Sequence, residues 1–257
     1  MILTFDIGNT NIVIGLFEGE KITHKWRLIS DTKKNVDDYA IDLIELFLTA
    51  KIDCLQISGT IIASVVPVLT GKILEAMKKF TNCQIFVVGE ADTKLNIDIQ
   101  VKNKNEVGAD RLINSIAGYK KFGGNLIIID FGTATTFDMV GKNGEYLGGV
   151  ISPGINLSLK ALHDMTAKLP KITVKPQTNV IGKNTIEAMN SGVYFGYISL
   201  IEGLVEKIEK EHGEKTTRIM TGGLSEIFKE ALANTINHHE PDLTLDGLRL
   251  VYEMNSK

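Results

Sequence analysis

The chain has 257 residues, enough for one large domain or two ordinary ones with an ample core. Hydrophobic residues make up 44% and charged residues 23%, the balance of a soluble globular protein. A net charge of -3 and a pI near 6.0 exclude a bulk-charge nucleic-acid binder, and the lysines are scattered among acids.

Cys54 and Cys83 stand alone, without the spacing of a disulfide framework or a zinc site, which fits a reducing cytoplasm. Asp6 interrupts the first apolar run and no basic segment precedes it, so no signal peptide is expected. No apolar run approaches the roughly 20 residues of a membrane span. The expectation is a cytoplasmic protein with no membrane or nucleic-acid partner.

Ile2 to Ile7 reads as a buried strand ending in Asp6, a polar turn through Gly8-Asn9-Thr10-Asn11, and a returning strand from Ile12-Val13. A carboxylate beside glycine and short hydrogen-bonding side chains suits a polyphosphate with its cation, since backbone N–H groups can approach closely. An ordinary hairpin with a solvent-facing turn explains this stretch equally well. A third strand is expected over about Ile22 to Leu28. Val36, Ala40, Leu43 and Phe47 then recur at helical spacing, predicting a helix from Val36 to Thr49. Thr60 to Val66 reads as a buried strand, Pro67 opens a helix, and Gln84 to Val88 is another buried strand.

The opening pattern then returns. Asn125 to Asp130 is an apolar run closing on an acid, followed by Phe131-Gly132-Thr133-Ala134-Thr135-Thr136. Asp6 matches Asp130 and Gly8 matches Gly132 at a spacing of 124, and Glu18-Gly19-Glu20 falls at that spacing on Lys142-Asn143-Gly144. Internal duplication is the simplest explanation. The pattern resembles the actin, hexokinase and sugar-kinase superfamily. That resemblance implies an α/β fold of two duplicated ribonuclease-H-like lobes with mixed sheets and a nucleotide cleft between them. The lobes are expected over residues 1–115 and 116–257, with the boundary in a helix from about Glu106 to Phe122.

Beyond lies the glycine-rich run Gly148 to Gly154, leading into a helix from about Ile155. A long helix follows Ile181-Gly182-Lys183-Asn184-Thr185 to about Lys210. A short strand at Arg218 to Gly223 has a helix beyond it, and Thr244 to Tyr252 reads as a final helix. There is no Walker P-loop and no dinucleotide fingerprint. His238-His239-Glu240 reads as a polar loop, because adjacent residues do not easily ligate one ion. Thr221-Gly222-Gly223 reads either as a plain turn or as a backbone approach for adenine or ribose.

Glu106-Val107-Gly108-Ala109-Asp110-Arg111 places an acid in the first helical turn beside small residues. Phosphoryl transfer to an alcohol needs an acceptor for the hydroxyl proton, and Asp110 is the candidate. A surface acid–base pair is the competing reading.

The Asp6, Gly108 to Arg111, Asp130 to Thr136, Gly148 to Gly154 and Asn184 to Met189 motifs, in this order, resemble the type III pantothenate kinase family over nearly the whole chain. The resemblance implies ATP-dependent phosphorylation of pantothenate, the first step of coenzyme A biosynthesis. It implies that Asp6, Ile7, Gly8, Asn9, Thr10, Asn11, Ile12 and Val13, together with Thr133, bind ATP. It gives Asp110 the role of proton acceptor, places Gly108, Ala109, Asp110, Arg111 and Thr185 at the substrate, puts Mg2+ near Asp6 through water, and has Asp130 hold K+ or NH4+. It also implies a homodimer. The chain departs from the family at Val101 and Lys104, where an aromatic residue and a proline are expected. Two further readings stand beside this one. One is a non-catalytic transcriptional accessory protein of the same fold, and the other is a related kinase with a different small alcohol or carboxylate substrate.

Overall fold

The computed structural model describes residues 1–256. In chain order it runs β1 (Ile2–Ile7), β2 (Asn11–Glu18), β3 (Lys21–Ile29), α1 (Val36–Thr49), β4 (Gly59–Ser64), α2 (Pro67–Lys78), β5 (Gln84–Val87) and α3 (Ala109–Phe122). It continues with β6 (Leu126–Phe131), β7 (Ala134–Val140), β8 (Tyr146–Pro153), α4 (Ile155–Asp164), α5 (Thr185–His212), β9 (Thr217–Thr221), β10 (His238–His239) and α6 (Leu243–Asn255). The chain divides into two units, one of residues 1–97, 103–117 and 243–257 and one of residues 98–102 and 118–242.

The first unit is built on a five-stranded sheet of order β3-β2-β1-β4-β5. β1 pairs antiparallel with β2 and parallel with β4, so it lies at the centre. Strand alternation sends Leu3, Phe5 and Ile7 to one face, where they meet Tyr39, Leu43 and Phe47 of α1 and Leu69, Ile73 and Met77 of α2. The start of α1 follows from its capping box: the Asn35 side chain accepts from Asp38 N, and the Asp38 carboxylate accepts from Asn35 N. Pro67 stands in the first turn of α2, where its missing N–H is harmless.

The opposite face carries Phe17, Ile61 and Ala63, covered by Ile113 of α3 and by Leu245, Leu248, Val251 and Tyr252 of α6. Two glycines permit this approach. A side chain at Gly59 would meet the Tyr252 ring, and one at Gly247 would stand 2.6 Å from the Ile113 carbonyl oxygen. The last helix of the sequence therefore completes the core of the first unit.

The second unit has a sheet of order β10-β9-β6-β7-β8. Its β6 pairs antiparallel with β7 and parallel with β9, the relations that β1 has with β2 and β4. Ile127, Ile129, Phe131 and Phe137 pack against Ile155 and Leu159 of α4 and Val193, Tyr194, Tyr197 and Ile201 of α5. On the other face Gly118 lets α3 lie close to Leu126, Ile128 and Ile219.

Two local expectations change. The segment after β9 forms a 3-10 turn at Ser225–Phe228, not an α-helix. Phe228 stacks on Phe131 and Tyr194, and Phe228 and Leu232 are fully buried, so packing prevails over helix propensity. His238 and His239 are not loop: they form the edge strand β10, parallel to β9.

Candidate active site

Asp6 is the penultimate residue of β1, flanked by Val13 on β2 and Ala63 on β4. The turn after it is closed by Gly8 N donating to Asn11 O at 2.9 Å. Ser30, just after β3, braces the same turn twice. Its hydroxyl donates to Gly8 O at 2.6 Å and its N–H to Thr10 O at 3.0 Å. Asn9 and Thr10 are left exposed, so the turn presents polar groups on a fixed backbone. Ser30 lies 22 residues from Gly8, and no local pattern announced it.

Asp130 has the equivalent place in the second unit, flanked by Thr136 on β7 and Thr221 on β9. Its turn closes through Gly132 N to Ala134 O at 3.0 Å, and Gly154 N donates to Thr133 O at 3.1 Å. A side chain at Gly154 would collide with the Thr133 carbonyl, so this glycine is needed where β8 enters α4. Gly222, with φ +95°, lies against the Asp130 carboxylate and the Phe131 backbone, leaving no room for a Cβ. The Asp130 carboxylate thus sits beside main chain from a neighbouring strand end.

Asp110 stands in the first turn of α3. The carboxylate folds back so that Oδ1 accepts from Arg111 N at 2.9 Å, and a Cβ at Gly108 would lie 2.5 Å from that oxygen. Burial pushes the Asp110 carboxyl above the ordinary carboxylate range, with the Arg111 N–H and guanidinium pulling it back only in part. Carboxyl groups with strongly perturbed pKa values cluster at functional sites, which keeps Asp110 a candidate.

The comparisons of sequence agree on one family. The family model for type III pantothenate kinase matches residues 2–207. A type III pantothenate kinase of an Exiguobacterium species is 45% identical over all of both chains. One from Paramagnetospirillum magneticum is 44% identical, covering all of this chain and 98% of that one. The chain belongs to the type III pantothenate kinase family. It is a kinase.

Among solved structures, a Campylobacter jejuni protein described as a Baf family transcriptional activator is 20% identical with a TM-score of 0.58, covering 99% and 98% of the two chains. The inorganic polyphosphate/ATP-glucomannokinase of an Arthrobacter strain is 14% identical with a TM-score of 0.51, covering 98% of each chain. At these identities the likeness shows the fold alone, the two-lobed one of actin-like ATPases and sugar kinases.

In this type III pantothenate kinase chain, Val13 of β2 and Ala109 at the start of α3 both pack against the apolar cluster under α6. Thr185 is the exposed first residue of α5, behind the cap in which Asn184 accepts from Glu187 N at 2.9 Å. Its place in a site rests on family resemblance alone. Val101 lies over Gly148, 3.7 Å from where a Cβ would stand. Among the described residues no three acids, histidines or cysteines cluster to hold a metal. No helix of the described residues is long and apolar enough to cross a membrane.

Proposed function

We propose that this kinase transfers the γ-phosphoryl group of ATP to the primary hydroxyl of pantothenate, giving 4'-phosphopantothenate at the opening of coenzyme A biosynthesis. The observation that carries the reading is the half-buried carboxylate of Asp110, folded back over Gly108 with its pKa raised, in a chain of this family. Asp110 accepts the hydroxyl proton as the substrate oxygen attacks the γ-phosphorus. The bond from that phosphorus to the β–γ bridging oxygen breaks, and ADP leaves. Gly108, Ala109, Arg111 and Thr185 hold the pantothenate, with Arg111 supplying positive charge next to the base.

The turn from Asp6 to Val13 holds ATP phosphates on its backbone N–H groups and on the side chains of Asn9 and Thr10. Thr133 does the same in the second turn. The oxygen donors fit hard cations. Magnesium is ordinarily held by one or two carboxylates with phosphate oxygens and water, and Asp6 would supply one such carboxylate beside the turn. Asp130, with main chain packed beside it, suits potassium or ammonium. When bound, these cations neutralise phosphate charge. The reading includes a cytoplasmic homodimer.

The test is ADP release from the purified protein with ATP, magnesium and pantothenate, in potassium and in sodium, alongside Asp110→Asn. Pantothenate-dependent release that needs potassium and is lost in the variant supports the phosphoryl transfer, the monovalent cation and Asp110 as proton acceptor. A folded protein with no turnover under any of these conditions overturns it, in favour of a transcriptional accessory role. Turnover that survives Asp110→Asn removes the proton acceptor and keeps the kinase.

A further inference from the structure

The turn against Asp130 is held by a chain of side chains that the reaction above does not use. Gly222 keeps its left-handed backbone at the end of β9, and its carbonyl oxygen accepts twice from Ser225, from N at 3.2 Å and from Oγ at 2.7 Å. Ser225 Oγ lies 2.8 Å from Nε2 of His239. On the other side of the ring, Nδ1 of His239 lies 3.4 Å from Oε2 of Glu226. The two-residue strand β10 fixes the histidine, because Met220 O on β9 accepts from Glu240 N at 2.8 Å.

Proton counting sets the direction of this chain. A serine hydroxyl has one proton and can accept through its lone pairs. With that proton given to Gly222 O, Ser225 Oγ accepts from Nε2–H of His239. Serine, histidine and glutamate in this order also make hydrolytic triads. Here Ser225 is 1% exposed and its proton already has a carbonyl acceptor, so it is no nucleophile.

We propose that His239 is a positioning residue for the cation site: through Ser225 it holds the Gly222 turn that packs against the Asp130 carboxylate. The proposal rests on the assignment of Asp130 as the monovalent-cation ligand. Residues that orient a ligand are worth about 10–100-fold in metal affinity when lost. The chain from His239 through Ser225 to Gly222 has that form, and it ends on main chain packed against the ligand.

The test uses the full-length protein and the variants His239→Ala, His239→Gln and Ser225→Ala, with a thermal melt to establish folding. Backbone amide exchange is followed at Gly222 to Leu224 without nucleotide or added potassium. His239→Ala and Ser225→Ala are expected to speed exchange there by roughly tenfold, the worth of one buried hydrogen bond. His239→Gln, whose amide nitrogen can stand where Nε2 stood, keeps exchange near wild type. In the kinase assay, His239→Ala raises the half-activating potassium concentration by about tenfold while the KM for pantothenate moves far less. Unchanged exchange in both alanine variants overturns the proposal. Faster exchange with an unchanged potassium requirement overturns the link to the cation. A wild-type enzyme indifferent to potassium overturns the Asp130 assignment instead, and the exchange rates then decide the His239 link alone.

Discussion

The carboxylate of Asp110 fills the space that a side chain at Gly108 would need, 2.5 Å from where that Cβ would stand. The glycine permits the carboxylate to fold back over the helix start, where Arg111 N donates to it. Gly108→Ala is therefore expected to push the carboxylate aside and lower kcat by roughly tenfold to a hundredfold, the cost of a misplaced reacting group. The melting temperature changes little, because the oxygen is the mobile end of a partly exposed side chain. Steady-state kinetics beside a thermal melt checks both halves.

Asp110→Asn should lower kcat by about 10²–10⁴, the usual worth of a positioned base. It should also raise stability at neutral pH. The folded-state pKa of Asp110 lies above its unfolded value because burial penalises the charge. Between those two values the folded chain holds more protons than the unfolded one, so stability falls as pH rises through that window. Above it the wild type carries the full penalty that asparagine escapes. The Tm advantage of the variant is expected to shrink as pH drops through that window and to be gone below the ordinary carboxylate range. The acid limb of kcat/KM in the wild type should sit above that range.

Asp6 and Asp130 hold the same place in two equivalent sheets, yet the reading gives them different cations. Asp6→Asn is expected to weaken catalysis with ATP and magnesium by about 10²–10³ in kcat/KM at any potassium concentration. Asp130→Asn is expected to raise the potassium requirement by at least roughly tenfold, with activity partly recovered at high potassium. A magnesium and potassium titration of both variants separates the roles. Identical profiles would merge them.

Gly154→Ala and Gly203→Ala are one substitution with opposite expected signs. At Gly154 the new methyl meets the Thr133 carbonyl, which is backbone and cannot give way, so the cost is about 1–3 kcal/mol with a raised KM for ATP. At Gly203, inside α5, nothing lies within 4 Å, and helix propensity stabilises by roughly 0.5–1 kcal/mol. Chemical denaturation of the two variants measures both.

Asn184→Ala removes the cap of α5 and leaves Glu187 N without its acceptor. The expected loss is about 0.5–2 kcal/mol in denaturant unfolding. If Thr185 holds substrate, fraying of this first turn also raises the KM for pantothenate while the KM for ATP stays near wild type.

Much of this protein is decided locally and can be read along the chain. The apolar spacing of Val36, Ala40, Leu43 and Phe47 placed α1, and Pro67 placed the start of α2. The recurrence of strand, acid and glycine at Asp6 and Asp130 pointed to an internal duplication, and the structure has two mixed sheets of equivalent strand order. The tertiary structure alone decided which surfaces these elements meet. Periodicity marks an apolar face on α6 but cannot say that it lies on β1 and β4, because the selecting features, Gly59 under Tyr252 and Gly247 beside Ile113, join segments remote in sequence. Ser30 on the Gly8 turn, Gly222 on Asp130 and His239 on Ser225 were unreadable for the same reason. A hydrogen bond or close contact between distant segments leaves no local pattern, and its partners are fixed only when the core brings the strands into register.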